Sequence, residues 1–167
     1  MKRSRQLVLF TVAATIVGIT AYANFRTAGF EVTQSQSGRL LLLDENQTAI
    51  DGYDPVAYFT EGRATKGTDA FTATVDGAKW KFSTNENRQA FLKNPDQYIP
   101  AYGGYCAWAV AAKADLFDGD PEHWKVVDGK LYLNFNADVQ SQWLEDTDGF
   151  IRDGDQNWPK IVADRAE

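Results

Sequence analysis

At 167 residues, with 44% apolar residues including five Trp, ten Phe and seven Tyr, the chain can build one domain with a packed core and needs no covalent staples. A formal charge of −6, from 23 acidic and 17 basic residues plus a neutral histidine, excludes a nucleic-acid footprint, and no nucleic-acid partner is expected. A single cysteine excludes an intramolecular disulfide and a C-x-x-C metal or redox site.

The first 23 residues read as an address. Lys2, Arg3 and Arg5 are followed by the uncharged, mostly apolar run Leu7 to Ala23, which ends in the small-x-small triplet Ala21-Tyr22-Ala23. This pattern predicts a signal peptide or an N-terminal membrane anchor over 1–23, with membrane attachment through residues 7–23 in the second case. Cleavage after Ala23 would remove three positive charges and take the net from −6 to −9. Either way the rest of the chain is exported, to the periplasm or to the outer face of the cytoplasmic membrane. Residues 24–39, rich in Gly, Ser, Thr and Gln, read as a polar tether, and the domain is expected to occupy 40–167.

From Leu40 onward the turn signals are regular. Asp54-Pro55 reads as a helix start, with a capping acceptor followed by proline at the first helical position. Phe71 to Val75 alternates, Asp76-Gly77 is a favoured hairpin turn, and Trp80 to Phe82 alternates again. Ser83 or Thr84 then caps a helix through Leu92, which Asn94-Pro95 stops. Trp124 to Val127, Asp128-Gly129 and Leu131 to Phe135 predict a second hairpin. Asn136 caps a second helix, with Val139, Trp143 and Leu144. An offset of 52 places Asp76-Gly77 on Asp128-Gly129 and Phe91-Leu92 on Trp143-Leu144. Between them the match fails: Lys79 and Lys81 meet Leu131 and Leu133. The predicted fold is therefore α+β, one compact domain of two β-hairpin–helix units sharing a core. Its seam is Tyr102-Gly103-Gly104-Tyr105-Cys106-Ala107. Phe82, Phe91, Leu133 and Trp143 are expected in the core.

Several separated motifs carry a resemblance. Tyr53-Asp54-Pro55-Val56-Ala57-Tyr58-Phe59, Phe82-Ser83-Thr84-Asn85-Glu86-Asn87-Arg88, Asn94-Pro95, Tyr98, Tyr102 to Ala107 and Gly129-Lys130-Leu131-Tyr132-Leu133 together resemble exported bacterial proteins of the YHS domain family. The resemblance runs from about Ile50 to Pro159. It implies a compact α+β module from a wider group associated with metals. The metal-type members carry a cysteine after the second hairpin strand and another four residues on. Here those positions hold Ser83 and Asn87, and neither is a thiolate ligand.

Five residues stand out as ligand-binding candidates. Cys106 is either a soft ligand or reactive thiol at a Gly-Gly turn, or a small buried hydrophobe. His123, the only histidine, is expected in a turn before a strand. With Cys106 it would suit copper or zinc if a third ligand joined them. Tyr53, Tyr102 and Tyr105 either line a pocket with their polar tips or build an aromatic core. The expected function is a non-catalytic extracytoplasmic binding module for a metal ion or small ligand, without a tightly bound structural zinc. The alternatives are a structural or protein-interaction domain of the cell envelope, its partner unnamed, and a small thiol-dependent enzyme using Cys106.

Overall fold

The computed structural model describes residues 39–165, so the predicted signal or anchor over 1–23 and most of the tether lie outside the described residues. Arg39, the last tether residue, pairs with Asp76 at 3.3 Å and with Asp96 at 2.7 Å. A 3-10 turn over Ile50–Gly52 leads to a short helix α1 (Ala57–Thr60). Hairpin β1 (Thr68–Val75) and β2 (Ala78–Phe82) follows, then helix α2 (Asn85–Lys93). Two more 3-10 segments, Pro95–Gln97 and Ala101–Gly104, lead to α3 (Ala107–Lys113), hairpin β3 (Asp120–Val127) and β4 (Lys130–Asn134), and helices α4 (Ala137–Glu145) and α5 (Thr147–Asp164). Among the described residues no helix is long and apolar enough to cross a membrane.

The halves are repeats. The bounds of β3, β4 and α4 are each 52 higher than those of β1, β2 and α2. Both hairpins are antiparallel, with a register shift after Thr68 in one and after Asp120 in the other. Both turn through an Asp-Gly pair at positive φ, the backbone that suits a two-residue turn. Thr84 caps α2 by accepting from the Asn87 N–H, and Asn136 caps α4 by accepting from the Val139 N–H. The entry segments match as well. Ile50, Asp51 and Gly52 all have positive φ, as do Tyr102, Gly103 and Gly104. Tyr53 bridges Lys66 and Tyr105 bridges Asp118; the Asp54 and Cys106 N–H groups donate to Thr65 and Phe117 carbonyls, both at 2.8 Å. The Tyr-Gly-Gly-Tyr-Cys seam is thus the second copy of Ile50-Asp51-Gly52-Tyr53-Asp54. Gly103 has a further reason to be glycine: an added Cβ would lie 2.0 Å from the Leu40 carbonyl oxygen.

The expected single shared core resolves into two buried clusters. The first holds Val56, Tyr58, Trp80, Phe82 and Phe91; the second holds Tyr102, Val110, Tyr132, Trp143 and Ile161. Strand β4 is the wall between them, because alternate side chains point to opposite faces. Leu131 and Leu133 join the first cluster, and Tyr132 joins the second. On β2 the counterparts Lys79 and Lys81 face Asp69, at 3.3 and 2.9 Å. The sequence mismatch between the hairpins therefore marks which strand is covered on both faces. Phe82, Phe91, Leu133 and Trp143 are fully buried, as expected.

Helix α5 starts where the first repeat has only the 3-10 turn Pro95–Gln97, 52 residues earlier, runs far beyond it, and has no prediction from the sequence. Gly149, Gly154 and Pro159 hide its period. The structure explains two of them. Gly149 sits over the capping Asp146 carboxylate, and a Cβ at Gly154 would lie 2.5 Å from the Tyr102 hydroxyl. Asn157 donates from its amide to the Val110 and Ala111 carbonyls, both at 3.1 Å, and so ties α5 to the end of α3.

Candidate functional site

The repeat supplies an internal comparison at the positions where chemistry was expected. Asp54 and Cys106 are counterparts, and each lies at the start of a helical segment beside the end of a hairpin. Asp54 is fully buried. Its Oδ1 accepts from the Val56 N–H at 2.9 Å. Its Oδ2 accepts from the Ser83 N–H at 2.8 Å, the Ser83 hydroxyl at 2.7 Å and the Asn87 amide at 2.7 Å. The capping role assigned to Asp54 is therefore a small part of what it does, and α1 begins only at Ala57. Four donors satisfy a buried carboxylate, and the arrangement fixes the segment against β2 and α2. Ser83 and Asn87, which occupy the metal-type cysteine positions, are both committed to this carboxylate. They do not fit a thiolate-bound ion.

In the second repeat the same three positions carry Cys106, Phe135 and Val139, and the space is open. A cleft of about 400 Å³ is lined by Cys106, Trp108, Ala109, Phe117, Phe135 and Val139. Such a volume suits a small organic ligand. Phe117 and Phe135 are both 49% exposed, unusual for side chains of this size, and they form part of its mouth. Lys113 and Asp115 add one charge of each sign. Cys106 forms part of the lining and is otherwise buried. Its sulfur meets Asn134 Oδ1 at 3.8 Å, and the Trp108 N–H donates to the same oxygen at 3.2 Å. Asn134 is fully buried, and its Nδ2 has no hydrogen-bond partner. Burial pushes the Cys106 thiol above its ordinary value; the N–H groups of Ala109, Phe135 and Trp108 beside the sulfur pull the other way.

The remaining sequence candidates lie elsewhere. His123 is inside β3 rather than in a turn before it, and its Nε2 stands 3.8 Å from Asp120 Oδ2. It does not line the Cys106 cleft. Among the described residues no three His, Cys, Asp or Glu side chains stand together to hold an ion. Tyr102 is buried and its hydroxyl lies 3.0 Å from Asp155 Oδ1 and 3.2 Å from the Ile151 carbonyl, so it belongs to the core. Burial, then the Asp155 charge, raises its pKa. Tyr105 is half-buried against Trp158, with ring centroids 6.3 Å apart. Tyr53 belongs to a second, polar cleft of about 320 Å³ with Asp51, Lys66, Asp118 and Asp120. Its hydroxyl donates to Glu122, and Lys66 Nζ lies 3.8 Å above its ring. The Glu122 hydrogen bond is the main reason that the Tyr53 pKa is pushed up to about 12.

Sequence reasoning thus found Cys106 but missed the walls, Phe117, Phe135 and Val139, and missed Asn134 beneath them. The offset of 52 could have found two of the walls, since it places Phe135 and Val139 on Ser83 and Asn87.

The fold and the cleft define the class: an α+β domain of two β-hairpin–helix repeats, one closed by a buried polar network and the other opening onto an apolar cleft. Comparison with models of known families, with curated protein sequences and with solved structures returned no match.

Proposed function

We propose that this chain is an exported YHS-type binding module, without catalysis, whose ligand is a small molecule with an apolar body held in the Cys106 cleft. The observation that carries the reading is the difference between equivalent positions. Where the first repeat fills the space with Asp54, Ser83 and Asn87, the second lines an open cleft with Cys106, Phe135 and Val139. An open apolar cleft of this size leaves wall surface in water that a ligand would cover, and that is the driving force for binding. Its donor set favours an organic ligand over copper or zinc: one thiol and one carboxylate are too few to hold an ion tightly. The motifs shared with the YHS family, and the basic-then-apolar start of the chain, support the family and the export.

The test is uptake of a neutral fluorescent apolar probe, N-phenyl-1-naphthylamine, by the mature chain. One probe per chain is expected, and Val139→Trp, which fills the cleft from α4, should abolish uptake while thermal unfolding stays cooperative. Absence of uptake by the wild type, or equal uptake by a folded Val139→Trp variant, would contradict the reading.

A further inference from the structure

The charges at the rim of the Cys106 cleft are not equivalent. Asp115 has partners: its Oδ1 accepts from the Leu116 N–H at 2.8 Å and lies 3.9 Å from an Arg165 guanidinium nitrogen. Lys113 pairs with no carboxylate among the described residues. Its ammonium stands 5.5 Å from the centre of the Trp108 ring, and both residues line the cleft. The rim therefore carries an acid already faced by a cation and, among the described residues, a second cation set against an aromatic ring and paired with no carboxylate. The remaining walls, Ala109, Phe117, Phe135 and Val139, are apolar. A neutral apolar ligand would leave that lysine without an ionic partner, and a cationic one would be repelled by it.

We infer that the ligand of this cleft is an amphiphilic carboxylate, with its apolar body between Phe117, Phe135 and Val139 and its anionic head at Lys113. This inference rests on the binding-module reading and narrows it to one ligand chemistry. The chain as a whole is acidic, so long-range attraction contributes nothing to such a ligand. Selection for the anion has to come from Lys113 at close range. That makes the effect modest and salt-sensitive, because an exposed ion pair is screened.

The test titrates the mature chain with octanoate, octanol and octylamine by calorimetry, at low and high salt. Octanoate should bind about fivefold more tightly than octanol, the range expected for one exposed ion pair, and octylamine most weakly. The octanoate advantage should shrink at high salt and vanish in Lys113→Gln, while octanol binds that variant as before. Octanol or octylamine binding the wild type as tightly as octanoate would overturn the inference, as would an octanoate advantage that persists in Lys113→Gln. The two readings fail separately. Uptake of the neutral probe without carboxylate preference overturns only the inference. Absence of uptake overturns the binding module itself.

Discussion

The two repeats share a backbone plan and differ in what they bury. In the first, the segment after the positive-φ turn carries Asp54, and the hairpin end and following helix answer with Ser83 and Asn87. In the second, Cys106 takes the place of the carboxylate, and Phe135 and Val139 leave a cleft. The comparison separates what the plan requires from what one copy is free to change. Turn, register shift and helix cap are kept in both copies. The group joining segment to hairpin is not. One repeat holds its entry segment by a polar network, the other by a second layer of helix, α5, packed against α3. A repeat braced from outside does not need the network inside, and the space stays open as a cleft.

The largest expected effects test whether the plan is shared. Phe91 and Trp143 are counterparts, each fully buried in its own cluster. Alanine at either should cost about 3–5 kcal/mol by urea unfolding. A cost below about 1 kcal/mol at one of them would break the equivalence of the repeats. The next pair tests the difference. Asp54→Ala strands the buried Val56 N–H and the part-buried donors of Ser83 and Asn87 and should cost about 3 kcal/mol, since a stranded buried donor costs about 1–3 kcal/mol and the part-buried ones less. Cys106→Ala removes one sulfur atom beside an open cleft and should cost about 1 kcal/mol. Equal losses would mean that Cys106 braces the second repeat as Asp54 braces the first. Gly154→Ala probes the outside brace. The new methyl would press on the Tyr102 hydroxyl and separate α5 from the seam, a strain of about 1–3 kcal/mol, read as a lower Tm.

The smallest effect is in pH. Burial raises the Cys106 thiol above its unfolded value of about 8.5, so between the two values the folded chain holds a proton that the unfolded chain has lost. The stability contributed by burying the neutral thiol is full below about 8.5 and is lost as pH rises through the folded value. Between about pH 7 and pH 10 the wild type should therefore lose more stability than Cys106→Ser. Parallel curves would show that the thiol is not desolvated.

Local signals made the hairpins, their turns and the caps of α2 and α4 legible in the sequence, because Asp-Gly pairs and capping residues act over a few positions. Other features were not legible. The split into two clusters depends on which face of β4 meets which neighbour, and Leu131 and Leu133 read simply as apolar. Helix α5 was hidden because Gly149 and Gly154 are there for close approach to other side chains, which no local rule anticipates. In the site, Cys106 drew notice by its chemistry. Phe117, Phe135 and Lys113 carry no motif, and only the fold places them around it. Asp54 looked like a cap and proved to be the centre of a buried network.

The polar network and the cleft are alternative fillings of one repeated frame. Transplanting one filling into the other, with the triple substitution Cys106→Asp, Phe135→Ser and Val139→Asn followed by structure determination, tests this equivalence. The expected product is a folded chain in which the new carboxylate accepts from the N–H and side chain at position 135 and from the side chain at position 139. The cleft should be closed and uptake of N-phenyl-1-naphthylamine lost. A variant that unfolds, or one that folds with the new carboxylate turned to solvent and the cleft still open, would contradict it.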